Sequence, residues 1–242
     1  MKLDILAFGV HPDDVELSCA GVLLLEKATG KKTGIIDLTK GELGTRGTGE
    51  IRVREAAVAA EILGVDIREN LEMADGFFQN DESHQRKIIS VIRKYQPEII
   101  LCNAPSDRHP DHGRSAKLVS EAAFLSGLMK VKTEDNGSIQ HEWRPKYVMN
   151  YIQDRFLLPG FVIDISDVFD KKIESIMAYS SQFHKEGENE PQTYISTPGF
   201  LDSVIYRHKW FGKMIGSEYA EGFISEKMIG LKSFDALIQK NT

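Results

Sequence analysis

The sequence predicts the α/β class, with helices on both faces of a doubly wound, mostly parallel sheet and a C-terminal α/β extension in the same domain. Three observations carry that expectation. Apolar runs alternate with amphipathic stretches through the first 126 residues, the pattern of buried strands joined by crossover helices. Gly30, Gly64 and Pro97 stand where the amphipathic stretches should stop. After Gly127 the alternation loosens, yet strand-like and helix-like segments continue. With no repeat, low-complexity segment or linker, the 242 residues read as one domain, a core over 1–126 and an extension over 127–242 that completes the sheet and a pocket.

Leu3 to Val10 is nearly continuous in apolar residues and reads as a strand buried on both faces. Asp14 to Ala28 follows as a helix, with Val15, Cys19, Val22, Leu23 and Leu25 on its inner side. Thr33 to Thr39 is a second strand, Glu50 to Leu63 a second helix closed by Gly64, and Val65 to Met73 a third, more polar strand. Asp81 caps a helix that runs to Tyr95. Glu98 to Asn103 is the fourth strand and Asp111 to Ser126 the next helix. Beyond it, Lys130 to Gln140 reads as a surface loop or hairpin, Tyr147 to Tyr151 and Phe161 to Ile165 as short strands, and Asp167 to Tyr179 as a helix. Ser180 to Pro198 is rich in Gly, Pro, Asn and Glu and predicts a long loop. Met214 to Phe223 mixes Glu218, Tyr219 and Glu221 with small residues, and its spacing assigns it nothing.

Composition removes several function classes. The formal net charge is -6 and no stretch concentrates Lys and Arg, so the basic footprint that nucleic acid requires is missing. Cys19 and Cys102 are too few for a disulfide framework and sit in apolar surroundings, as small buried residues do in a reducing compartment. The apolar start of the chain is too short for a signal peptide, and no run approaches the roughly 18 residues of a membrane helix. A cytoplasmic protein acting on a small molecule is the expectation.

The tripeptide His-Pro-Asp occurs twice, in His11-Pro12-Asp13-Asp14 and in His109-Pro110-Asp111-His112. Chance predicts roughly 0.015 copies at this composition. Pro and Asp are ordinary helix-start residues, but that does not explain two copies placed at the ends of the first and fourth strands. In doubly wound sheets those strands are commonly neighbours, and ligands bind in the crevice at their carboxyl ends. Two imidazoles and a carboxylate, with one position left to water, are a common set for catalytic zinc. His11, Asp14 and His112 are therefore the candidate ligands, and ferrous iron suits the same set. Asp13 stays free to act as general base, and His109, as a cation, would stabilise an oxyanion or protonate a leaving amine. The segment Lys40 to Gly49 holds four glycines in ten residues and should overhang the same crevice. Arg52 on the following helix is a candidate for binding sugar hydroxyls or a carboxylate, and His184 is a candidate substrate contact from the long loop.

The pair H-P-D-D-V-E (His11 to Glu16) and H-P-D-H (His109 to His112) resembles the LmbE-like, or GlcNAc-phosphatidylinositol-deacetylase-like, zinc deacetylases. Within that family, Gly41 to Thr48, Arg52 to Ala57 and Ile215 to Phe223 are similar to deacetylases of bacillithiol biosynthesis. The resemblance implies a Rossmann-like sheet and hydrolysis of N-acetylglucosaminyl-malate to glucosaminyl-malate and acetate. It also implies metal ligation by His11, Asp14 and His112, catalysis by Asp13 and His109, substrate binding by Arg52, and assembly as a homo-oligomeric trimer or hexamer. A malate tail carries two carboxylates, for which Arg52 and Arg108 are the candidates. Mycothiol deacetylases have a tyrosine where this chain has Asp107, which counts against mycothiol. Deacetylation of other conjugates such as diacetylchitobiose stays open. The readings from other classes are a magnesium-holding receiver-like module and a non-catalytic sugar-binding protein with a structural metal.

Overall fold

The strand expected at Leu3 to Val10 runs over Ile5–Gly9 (β1), with every residue buried. It lies between β2 (Thr33–Asp37) and β4 (Ile99–Cys102), parallel to both. The sheet grows past β2 through β3 (Ile67–Asn70) and past β4 through β7 (Tyr147–Tyr151), again parallel. Two antiparallel strands, β8 (Phe161–Asp164) and β9 (Ala220–Ser225), finish it. The order is β3-β2-β1-β4-β7-β9-β8. A separate hairpin pairs β5 (Glu134–Asp135) with β6 (Ser138–Ile139). Its turn residues Asn136 and Gly137 both have positive φ, as a two-residue turn matched to strand twist requires. The structure, a computed structural model, describes residues 1–183 and 190–237.

Alternate residues of β1 feed two core layers, as the two-residue period of a strand dictates. Leu6 and Phe8 pack with Ile88 and Ile92 of α4 (Glu82–Tyr95) and with Leu118 and Val119 of α5 (Pro110–Ser126). Ile5 and Ala7 pack on the other face. Their partners are Val15 of α1 (Asp14–Ser18), Leu23 of α2 (Ala20–Ala28) and Phe169 of α6 (Phe169–Met177). A further cluster joins Ala56 and Ala59 of α3 (Gly49–Leu63), Ile176 of α6 and Val204 of α7 (Phe200–Ile215). It brings α7 over the carboxyl end of β1. Cys19 and Cys102 are both buried and free, as expected of small core residues. Among the described residues no helix is long and apolar enough to cross a membrane.

The structure corrects four details. The helix expected over Asp14 to Ala28 breaks at Cys19, whose φ is −140°. The break frees the N–H groups of Gly21 and Val22, and both donate at 2.8 Å to the Glu221 carboxylate on β9. The third strand is shorter than Val65 to Met73. The helix expected over Asp167 to Tyr179 is shorter too, starting at Phe169 after a 3-10 turn at Ser166–Val168. Helix α7 and strand β9 are both present where the sequence announced neither.

Candidate metal centre and active site

Both His-Pro-Asp motifs sit at the carboxyl ends of adjacent strands, and their side chains line one cavity of about 370 Å³. Each motif starts a helix. Asp13 is the residue before α1, and His109 is the residue before α5, with Pro110 in the first turn. Pro is favoured there because its missing N–H would have had no helical partner. The two helix starts therefore aim their first side chains at the same space.

The geometry around Asp14 is that of a held anion. Its Oδ2 accepts the backbone N–H groups of Val10 (2.9 Å) and His11 (3.0 Å) and the side-chain amide of Asn103 (3.0 Å). Its Oδ1 accepts the Gln153 amide at 3.1 Å and lies 3.2 Å from His112 Nε2. Burial alone would raise this carboxyl, but His112 and His11 hold it far below the ordinary carboxylate range. His11 Nδ1 lies 3.8 Å from Asp14 Oδ2.

Each imidazole is anchored from behind by another carboxylate. His11 Nε2 lies 2.9 Å from Asp75 Oδ1, and His112 Nδ1 lies 2.5 Å from Asp107 Oδ2. Anchoring one ring nitrogen by a carboxylate turns the other nitrogen outward as a ligand. Both outward nitrogens here face Asp14: His112 Nε2, 3.2 Å from Oδ1, matches the ~3.3 Å expected of atoms sharing a tetrahedral cation at bonds of about 2.0 Å, and His11 Nδ1 stands wider, 3.8 Å from Oδ2. Burial disfavours charge on His112, yet Asp14 and Asp107 outweigh it and push the imidazole up to about 10. A position that holds a proton this firmly between two carboxylates favours a cation. The donor set and its outer carboxylates fit a divalent metal of the zinc or ferrous class.

Two more groups face this point. Asp13 has a φ of 121°, a left-handed value that is strained for a residue with a side chain. Its carboxylate receives Arg52 Nη2 at 2.9 Å. Burial dominates and lifts Asp13 to about 7, against the pull of Arg52, which is where a general base for neutral pH should stand. His109 places its ring 4.8 Å from that of His11 and 5.4 Å from that of His112. The three imidazoles each bring a nitrogen within 4.8 Å of the others. His109 Nδ1, however, accepts the Asp111 N–H at 3.3 Å, so the neutral ring carries its proton on Nε2. Burial first, then His11 and His112, push His109 below its ordinary value. Both effects disfavour the cationic form expected from the sequence and leave the Nε2 proton of the neutral ring as the one available to the site.

A family model described as PIG-L, GlcNAc-PI de-N-acetylase, matches residues 6–123, a span that includes both motifs. A solved structure, a conserved protein of Thermus thermophilus, is 33% identical, covers 95% of this chain and 98% of its own, and superposes with a TM-score of 0.84. The chain belongs to the PIG-L family. Diacetylchitobiose deacetylase of Thermococcus kodakarensis is 28% identical over 229 residues, covering 90% of this chain and 81% of that protein. Probable N-acetyl-alpha-D-glucosaminyl L-malate deacetylase 2 of Bacillus subtilis is 24% identical, covering 87% and 99%.

In this PIG-L chain the expected residues are not all equally placed. His11, Asp13, Asp14, His109 and His112 converge. Arg52 lines the cavity, but its Nη2 faces Asp13 and the Pro12 carbonyl and its Nη1 lies 3.4 Å from the Gly41 carbonyl. Gly41 has a φ of 65°, and a Cβ there would collide with Arg52 Nη1, so the glycine-rich loop needs this glycine for the arginine to pass. Arg108 stands at the cavity wall, 3.4 Å from Asp154 and 4.2 Å from the Tyr194 ring centre. His184 lies outside the described residues. Sequence reasoning missed Asp75 and gave Asp107 no role in the centre. Each sits in a loop after a parallel strand, and that placement was the one available signal.

Proposed function

We propose that this chain hydrolyses the N-acetyl amide of N-acetylglucosaminyl-malate, releasing acetate and glucosaminyl-malate for bacillithiol biosynthesis. His11, Asp14 and His112 would hold one divalent metal, with zinc and ferrous iron both suited to them. The observation that carries the reading is the pair of histidines, each pinned by an outer carboxylate and turned onto Asp14, with Asp13 beside them. When bound, the metal supplies Lewis acidity to the amide carbonyl and to the attacking water.

The chain's own residues do the rest. Asp13 takes the proton of the water at its carboxylate, and Arg52 keeps that carboxylate aimed. His109 donates its Nε2 proton as a hydrogen bond to the carbonyl oxygen as charge develops there, a term worth about 2.7–4 kcal/mol for one such donor. Collapse of the tetrahedral adduct breaks the C–N bond. The proton held by Asp13 then goes to the departing amine. Enclosure by the glycine-rich loop and α7 limits water, which strengthens these interactions.

A second substrate reading, diacetylchitobiose, is favoured by the 28% identity to the Thermococcus enzyme, which exceeds that to the malate deacetylase. The test is acetate release by metal-reconstituted protein on N-acetylglucosaminyl-malate, N-acetylglucosamine and diacetylchitobiose. Preference for the malate conjugate, lost with chelator, supports the proposal. Turnover of the neutral sugars alone keeps the deacetylase chemistry and discards the malate assignment.

A further inference from the structure

Four arginines line the cavity, and three of them are already engaged. Arg52 is turned onto Asp13, Arg108 lies against Asp154 and Tyr194, and Arg46 donates to the Phe183 carbonyl at 3.2 Å. Arg207, on α7, differs. Its Nη2 donates to the Leu17 carbonyl at 3.0 Å, which uses one of the five N–H donors of a guanidinium. Among the described residues no carboxylate comes within ion-pair distance of it. Burial outweighs the attraction of Asp154, Asp107 and Glu221 and pushes Arg207 down to about 10. A guanidinium remains charged at that value, so the wall holds a cation that lacks an anion. Such a group is costly to leave unpaired.

Its position is informative. Leu17 stands three residues after Asp14 in one helix, about 4.5 Å along the axis. In a 2-acetamido sugar the acetamide is on C2 and the aglycone on the adjacent C1. A substrate whose amide lies at Asp14 and His112 therefore carries its aglycone close to this wall.

Given the deacetylase reading above, we infer that Arg207 is a specificity-determining residue that binds a carboxylate on the aglycone of the substrate. The planar fork suits bidentate capture of a carboxylate, which a lysine ammonium cannot reproduce.

The test compares kcat/KM on N-acetylglucosaminyl-malate, N-acetylglucosamine 1-phosphate and diacetylchitobiose, using metal-loaded wild type, Arg207→Ala and Arg207→Lys. Ratios between substrates are taken within one preparation, so an inactive or misfolded fraction cancels. The expected result is a tenfold or greater fall in the malate-to-chitobiose ratio for Arg207→Ala, carried by KM, with Arg207→Lys between it and wild type. If wild type prefers the malate conjugate and Arg207→Ala keeps the ratio within twofold, the role of Arg207 is overturned and the substrate reading survives. A selective loss on the phosphate conjugate instead overturns the carboxylate assignment. If wild type shows no preference for the malate conjugate, the substrate reading and this inference fall together.

Discussion

Replacing Asp107 by Asn is an almost isosteric change with a calculable consequence for metal binding. In the native site Asp107 Oδ2 accepts the proton of His112 Nδ1 at 2.5 Å, and Oδ1 accepts the Arg155 N–H at 2.7 Å. Both oxygens are needed as acceptors, and an amide has only one. If the amide oxygen stays on Arg155, its NH2 faces His112 Nδ1 and forces the ring proton onto Nε2, the nitrogen 3.2 Å from Asp14. The ligand nitrogen is then blocked. If the amide flips, its NH2 confronts the Arg155 N–H and leaves donors unpaired, at about 1–3 kcal/mol. Asp75→Asn meets the same dilemma, because Asp75 Oδ1 faces His11 Nε2 at 2.9 Å and Oδ2 accepts the Leu43 N–H at 3.0 Å. Loss of such an outer partner typically weakens metal binding ~10–100-fold, or about 1.4–2.7 kcal/mol. The assay is zinc competition against a chromophoric chelator at pH 7.5, with thermal unfolding in excess chelator to show that each variant folds. A Kd within twofold of wild type for Asp107→Asn would refute the claim that this carboxylate selects the ligand nitrogen.

Four further outcomes are expected. Asp13→Asn should retain the metal and lose ~10²–10⁴ in kcat, the range for a general base, whereas His112→Ala should lose metal and activity together; equal metal loss in both, by elemental analysis, overturns the division of roles. Arg52→Ala removes a charge that favours the Asp13 carboxylate. The pKa of Asp13 then rises, so the acid limb of the kcat/KM profile should move to higher pH, and an unmoved limb counts against the pairing. In the metal-free protein His112 keeps its proton up to about 10. Metal must displace that proton, so affinity should keep climbing from pH 7 to 9, where an ordinary imidazole would have levelled off. Glu221→Gln takes the counter-charge from Lys172, which is fully buried and 2.8 Å away. A loss of about 3–5 kcal/mol in urea unfolding is expected, and less than about 1 kcal/mol would show the pair to be unimportant.

What the sequence made legible was the chemistry that is local along the chain. His11, Asp13 and Asp14 share one strand-to-helix turn, and His109 and His112 share the start of α5. A residue pattern at a helix start therefore exposes them even though the two motifs are about 100 residues apart. Strands β1 and β4 were legible for a similar reason, since each is nearly all apolar, largely buried, and announces itself by composition. The anchors behind the ligands are different. Asp75 lies 64 residues from His11, and nothing near Asp75 in sequence hints at an imidazole.

The same logic accounts for the two elements that went unread. Strand β9 carries Glu221 as its second residue, which interrupts the apolar run by which a buried strand is recognised. That carboxylate is buried because it closes the start of α2 from 200 residues away and holds Lys172. Gly222 follows it because a Cβ would meet the Phe211 ring at 2.9 Å, so α7 packs directly on the strand there. Helix α7 in turn mixes Arg207 and His208 into its inner side. His208 is buried with Nδ1 on the Val204 carbonyl at 2.6 Å, and Arg207 reaches Leu17 beside the site. In both elements some inward residues are polar among apolar ones, because they complete groups elsewhere: Glu221 takes the Gly21 and Val22 N–H groups and Lys172, and Arg207 reaches the Leu17 carbonyl. A periodicity rule counts those inward polar residues as evidence of a surface. It therefore fails in the segments that close the pocket, where long-range polar pairing rather than apolar burial decides which way a side chain points.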